Sequence, residues 1–411
     1  MYPRASLFAS GTLAITLGWA AAQPPAKPIQ PPAGVGGKNT VPEAVSKDTD
    51  DKDLSPSRGG KDNYTSTVGG RGLNEWMTDL KNQDPSVRER AIRAVVMFGP
   101  LASPAIPTII DRTSDRDSSP RIRAVMALGM MDFPDRDIPK VVEALVRRIS
   151  SENQSVIRYQ AMISLSRFQA IDAKTAIPPL AKEVDDQTTW EMRKLAVTLL
   201  TRLAYDEAKG PDALALRALI TALKDPAIQV RQEAVYGLAT IGRPADPALA
   251  ASVKSAMSTL TTNPDKGIAI WAHVGLINLD KVDGKLLSPI IKHLSDTRME
   301  VRVLATRALG TLGKLAEFAL PDLVRTLADP EPEVQMMGIW ALTTMGKNAL
   351  KAVPNLEELS KNKKALEMVR LTASTAVGQI TGKPEGTLLP KTGTATTEPK
   401  DPGNKPGTKN P

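Results

Sequence analysis

The stretch that decides the fold is Val301-Arg302-Val303-Leu304-Ala305-Thr306-Arg307-Ala308-Leu309-Gly310-Thr311-Leu312-Gly313. Counting from Ala305, Val301 stands at −4, Ala308 and Leu309 at +3 and +4, and Leu312 at +7. That spacing is one face of a helix with 3.6 residues per turn. The small residues on the face let a neighbouring helix approach closely. Gly313 reads as a C-terminal stop, because glycine accepts the positive φ that ends many helices.

The same pattern recurs on both sides. Its central small residue aligns with Ala91, Ala124, Ala161, Ala196, Ala234, Ala272, Gly338 and Ala373, at intervals of 33 to 38 residues. Periods of this length signal stacked supersecondary units. Gly99, Gly242 and Gly346 repeat the stop. Asp84-Pro85, Asp225-Pro226, Asn263-Pro264 and Asp329-Pro330 read as starts, an N-cap residue followed by a proline at the first helical position. A second helix precedes each copy, opened by Ile106-Pro107, Ile138-Pro139, Ile177-Pro178, Leu320-Pro321 or Val353-Pro354. Each unit is therefore helix, turn, helix. One such pair cannot bury its own apolar face, and a stack of them can.

The string Asp-Pro-x-x-x-Val-Arg-x-x-Ala-x-x-Ala-Leu-Gly, present in pieces throughout, resembles the HEAT repeat family. The 33-residue copies look like the short HEAT-like repeats also found in phycobilisome-lyase relatives. The resemblance implies an all-α solenoid, a superhelix of about nine helix pairs over residues 71–382. It implies less about function, since such repeats serve scaffolds, adaptors, inhibitors and a few lyases. The copy around Ala272 departs from the pattern: Ala269 replaces the usual arginine and Asp280 the terminal glycine, so an irregular or bent unit is expected there.

The ends read differently. Residues 1–22 have the form of a secretory signal, with Arg4, a largely apolar run from Leu7 to Trp19, and the small residues Ala20-Ala21-Ala22 before a cleavage point. The apolar run is short for a membrane span, so no stable span is expected after cleavage. The mature chain is expected outside the cytoplasm, periplasmic or secreted; the alternative is an uncleaved segment that stays as an N-terminal membrane anchor. Residues 23–70 and 383–411 are rich in Pro, Gly, Lys and Asp or Thr and read as disordered segments.

Composition narrows the chemistry. The 411 residues hold no cysteine, which removes disulfides, thiolate metal sites and cysteine nucleophiles. The only histidines, His273 and His293, have no companions at ligand spacing, and no Gly-x-Ser-x-Gly or phosphate-binding glycine loop occurs. No enzyme, cofactor or metal is implied. The formal charge is +8, but its lysines and arginines are interspersed with acids, which argues against nucleic acid as the partner. Arg88, Arg121, Arg158, Arg193, Arg231, Arg302 and Arg370 recur three residues before the small residue. A structural ladder between repeats accounts for them better than a phosphate site.

Positions −2 and +2 point away from the stacking face. They hold Ile122, Met126, Tyr159, Ile163, Tyr236, Ile270, Val274, Val303, Met336, Trp340 and Leu371, large apolar residues where a solvated surface would carry lysine and glutamate. Tyr159, Tyr236, Met336, Trp340, Met126 and Ile270 are therefore the candidate partner-binding residues. The reading is an exported, non-enzymatic scaffold or adaptor that binds a protein or peptide on its concave face. The alternatives are a lyase-like protein acting on a partner-bound chromophore and a solenoid that cradles nucleic acid.

Overall fold

The computed structural model describes residues 56–58 and 65–382, apart from 186–187, 207–209 and 281–283. The expected signal segment 1–22, most of the linker 23–70 and the tail 383–411 lie outside the described residues. The described part is built almost wholly of helices and falls into two units that divide between Pro289 and Ile290, each a stack of HEAT-like helix pairs.

The first unit begins with a two-stranded antiparallel ribbon, β1 Pro56–Arg58 and β2 Thr65–Val68, within the stretch expected to be linker. Val68 is fully buried and its carbonyl accepts a 3.0 Å hydrogen bond from the Trp76 indole. The Arg71 guanidinium lies 4.1 Å from the Trp76 ring centre and that of Arg90 5.6 Å. Two cations thus flank the buried indole and close the first repeat, a capping role that terminal repeats require.

Six pairs follow: α1 Leu73–Asp79 with α2 Pro85–Val96, α3 Ile106–Arg112 with α4 Ser118–Leu128, and α5 Ile138–Ser151 with α6 Ser155–Leu165. After the short α7 Ala170–Ala173 come α8 Ile177–Asp185 with α9 Trp190–Leu203, α10 Ala213–Ala222 with α11 Ile228–Ile241, and α12 Pro247–Leu260 with α13 Lys266–Asp280. The division falls inside α14 Ser288–Ile291. The second unit continues with α15 Met299–Leu312, then α16 Leu320–Thr326 with α17 Pro332–Met345, and α18 Val353–Lys361 with α19 Glu367–Thr381.

The starts at Ile106, Ile138, Ile177, Leu320 and Val353 fall at the first residues of α3, α5, α8, α16 and α18. The central small residues of all nine second helices are fully buried or, for Gly338, buried. Gly99, Gly242, Gly313 and Gly346 have φ of 56°, 101°, 53° and 58°, the left-handed conformation their place at helix ends demands. The acidic starts need one correction. Asp84 caps α2 directly, its carboxylate accepting from the Ser86 amide at 2.8 Å. Asp225, Asn263 and Asp329 stand further out, each accepting the amide two residues on in an Asx turn before the helix. Asp225 and Asp329 take that place because their carboxylates also receive the arginine of the same repeat array, as follows.

Candidate functional site

The turn between the two helices of each pair is the charged edge of the stack. Arg193 on α9 donates from Nε and Nη2 to both carboxylate oxygens of Asp225 at 2.6 and 2.9 Å, while Asp225 accepts the Ala227 amide at 2.8 Å. Arg302 holds Asp329 in the same way at 2.8 and 2.9 Å, and its Nη1 donates to the Asp296 carbonyl at 3.0 Å. Arg88 meets Asp115, Arg121 meets Glu152 and Arg158 meets Glu183. Arg231 donates to the Asp225 and Pro226 carbonyls at 2.7 and 2.8 Å. Gln335 replaces arginine in the α17 repeat and still donates to the Asp329 carbonyl at 2.8 Å. The ladder is structural: Arg88, Arg121, Arg158, Arg193 and Arg302 each close their own turn and clamp the next, whereas Arg231 and Gln335 bond carbonyls of their own turn.

Electrostatics follow from this geometry. Burial alone would raise the carboxyl pKa values of Asp115, Glu152 and Asp225. Hydrogen bonds from Arg88, Arg121 and Arg193, together with turn amides, outweigh it and hold all three below their ordinary values. The same pairing raises Arg88, Arg193 and Arg302. These shifts belong to paired, load-sharing groups at turns, and among the described residues no group of three or more His, Asp and Glu is placed to hold a metal ion.

A second set of bonds was not anticipated. Side chains six residues after the small residue, or near it, reach back to the C-terminal carbonyls of the preceding second helix. Arg167 donates to Gly129 at 2.8 Å, Asn278 to Ala239 at 2.7 Å and Thr344 to Gly310 at 2.8 Å. Arg202 donates to the carbonyls of Ser166, Phe168 and Leu165. Burial lowers the Arg202 pKa. Carbonyls at helix ends lack the regular amide partner of the helix interior, and these side chains give them a donor from the next repeat. The signal was present as a polar residue at a fixed position, Arg167, Arg202, Asn278 and Thr344, but its target was visible only once the helices were stacked; at the same position Thr240 and Thr311 donate to the Tyr236 and Arg307 carbonyls of their own helices.

The open face of the second helices carries the binding candidates. In the second unit Met336 and Val303 are half-buried, Trp340 is 37% exposed and Leu371 59% exposed. Trp340 leans on bare backbone: a Cβ added to Gly310 of α15 would lie 2.3 Å from the indole ring. The ring is thereby anchored on one side and open on the other. In the first unit Ile122, Met126 and Tyr159 are half-buried and Ile163 is 39% exposed, a patch shared by the neighbouring helices α4 and α6.

Two expectations fail here. Ile270 and Val274 are not surface residues; both are buried, because α13 is apolar on every side and Ile268, Trp271 and Ile277 are buried with them. The apolar column of the first unit is also interrupted. The equivalent positions of α9 are Lys194 and Thr198, so Tyr236 on α11 stands apart from the α4 and α6 patch. Tyr236 packs edge-on against buried Trp271, ring centres 4.8 Å apart at 84°, and so serves the core as much as the surface.

Residues 73–166 and 287–378 match the family model for HEAT repeats. No curated protein matches the chain in sequence. Among solved structures, Kap121p is 16% identical over 75% of this chain and 37% of its own, with a TM-score of 0.39. The karyopherin Kap121p bound to the extreme C-terminus of the protein phosphatase Cdc14p is 16% identical over 75% of this chain and 37% of its own, with a TM-score of 0.40. Kap121p bound to Pho4p is 14% identical over 75% of this chain and 42% of its own, with a TM-score of 0.42. The chain spans about two fifths of the length of the solved structures it resembles.

Proposed function

We propose that this chain, in which residues 73–166 and 287–378 match HEAT repeats, is a non-enzymatic scaffold that binds a protein segment on the open face of its second helices. The observation that carries this reading is the pair of exposed apolar side chains on neighbouring helices of the second unit, Trp340 on α17, anchored over Gly310, and Leu371 on α19, with half-buried Met336 also on α17. Tryptophan and methionine are enriched at the centres of protein interfaces, where a rigid apolar side chain binds at small entropic cost. An amphipathic helix laid across α15, α17 and α19 would find apolar anchors about 10 Å apart, the usual spacing of packed helices. The patch formed by Ile122, Met126, Tyr159 and Ile163 gives the first unit a smaller surface of the same kind.

The mature scaffold acts outside the cytoplasm after cleavage behind Ala22, on the reading of residues 1–22 as a signal. N-terminal sequencing of the protein from its native source tests the cleavage, and a retained Met1 would overturn it. The binding reading is tested with Trp340→Ser combined with Leu371→Ser. Loss of partner affinity with an unchanged helical signal supports it. Unchanged affinity places binding elsewhere, and unfolding assigns both residues to the core.

A further inference from the structure

The edge where each second helix hands over to the next repeat is unlike the charged edge. In the second unit it consists of two short 3-10 segments lying side by side, Gly313–Ala319 and Gly346–Ala352. Their alanines, Ala316, Ala319, Ala349 and Ala352, point inward and are fully buried. That turns the intervening residues outward. Leu315 is 38% exposed, Leu350 49% and Phe318 73%, and the exposed Lys314, Lys347 and Lys351 surround them. The one carboxylate within the two segments, Glu317, accepts a hydrogen bond from the Asn348 amide at 2.5 Å.

We propose that this edge of the second unit docks on the surface of an anionic lipid bilayer. Three features select that occupant. The apolar side chains stand exposed, Phe318 most of all, and acyl chains accept any protruding apolar group without a shaped pocket. Three lysines against one hydrogen-bonded carboxylate make the rim basic, which suits lipid phosphate and anionic headgroups. Among the described residues no helix is long and apolar enough to cross a membrane, so attachment through this edge is peripheral. The corresponding edge of the first unit also exposes apolar residues, Leu101 at 46%, Met130 at 65% and Ile171 at 79%, but the Gly99–Ala105 segment carries no basic residue, and exposed Asp132, Asp135 and Asp172 offset Arg136 in the other loops. The anionic surface therefore selects the second unit's edge. This site shares no residue with the Trp340 patch and stands whether or not that patch binds protein.

The test is co-sedimentation of the purified full chain with sucrose-loaded vesicles, of phosphatidylcholine alone or mixed with phosphatidylglycerol. Binding to the anionic vesicles at least about tenfold tighter than to the neutral ones is expected, weakening with salt. Lys314→Gln with Lys347→Gln and Lys351→Gln should lower it by more than about tenfold, each lysine near the surface contributing about fivefold. Phe318→Ser with Leu350→Ser should lower it about tenfold or more, with an unchanged thermal midpoint because both side chains are exposed. Trp340→Ser should leave vesicle binding untouched, which separates this site from the protein-binding face. No preference for anionic vesicles, or equal binding by wild type and both variants, would overturn the proposal. So would protection of Phe318 by an acidic amphipathic peptide in a chain that ignores vesicles, since the edge would then be a protein site.

Discussion

Removing one carboxylate from the turn ladder has a cost that the geometry fixes. Asp225 is the clearest case. Its side chain is 5% exposed and that of Arg193 is 13% exposed, so the pair is largely shielded from water. Asp225→Ala leaves the Arg193 guanidinium with the Thr188 carbonyl as its remaining partner and also frees the Ala227 amide. Breaking a buried pair from one side costs about 3–5 kcal/mol, and loss of a turn acceptor adds about 1 kcal/mol. Arg193 keeps some contact with solvent, so about 3–4 kcal/mol is expected. The surface pair Arg147 and Glu143, 2.9 Å apart but 59% and 70% exposed, is the control, and truncating Glu143 should cost under about 0.5 kcal/mol. The assay is urea unfolding followed by circular dichroism, with Arg193→Ala, Asp225→Ala and the double variant forming a cycle. A coupling energy of about 2 kcal/mol or more is expected. A coupling below about 0.5 kcal/mol would refute the claim that this pair clamps successive repeats.

Gly310→Ala should destabilise the chain by about 1–3 kcal/mol and lower its thermal midpoint, because the added methyl would meet the Trp340 ring at 2.3 Å and the Ala341 backbone at 2.9 Å. Ala305→Asp should be far more damaging than Asp296→Ala, since Ala305 is fully buried whereas Asp296 accepts the Arg298 amide at 3.1 Å and caps one turn. Equal shifts in midpoint would refute the assigned register. The lowered carboxyl pKa values of Asp115, Glu152 and Asp225 fix the sign of the acid response: their stabilisation is complete above about pH 4, the ordinary carboxylate range, and is lost as pH falls through the lower folded-state values. Asp225→Asn should flatten the acid limb of a stability–pH curve; an unchanged limb would mean that Asp225 titrates normally.

The period of the array, its helix starts and its helix ends are local properties, and residues such as Ile106-Pro107, Ala305 and Gly313 announce them without any knowledge of neighbours. The arginine ladder was legible as a regular column, although its partners were not, because Arg193 and Asp225 are 32 residues apart and meet only through stacking. The Asx turns of Asp225 and Asp329 were read two residues too close to their helices, whose N-caps are Ala227 and Glu331, since an Asp-Pro pair looks the same whether the carboxylate caps the helix or turns the loop before it. The candidate face was legible in part. Helical periodicity placed Trp340 and Leu371 on an open side, but it could not register that α13 is enclosed, so Ile270 was read as surface. Periodicity gives the direction of a side chain relative to its own helix, and burial depends on what the rest of the fold lays over it. The exposed ridge at Phe318 escaped because its 3-10 segments have no 3.6-residue period to read.

Photo-crosslinking from the open face tests the central claim most directly. A benzophenone amino acid placed at Trp340 or Leu371, and in a control chain at the exposed Lys361 on α18, would be irradiated in the native extract. The account predicts one discrete protein adduct shared by Trp340 and Leu371 and absent from Lys361. Adducts that are equal at all three positions, or present only at Lys361, would contradict it.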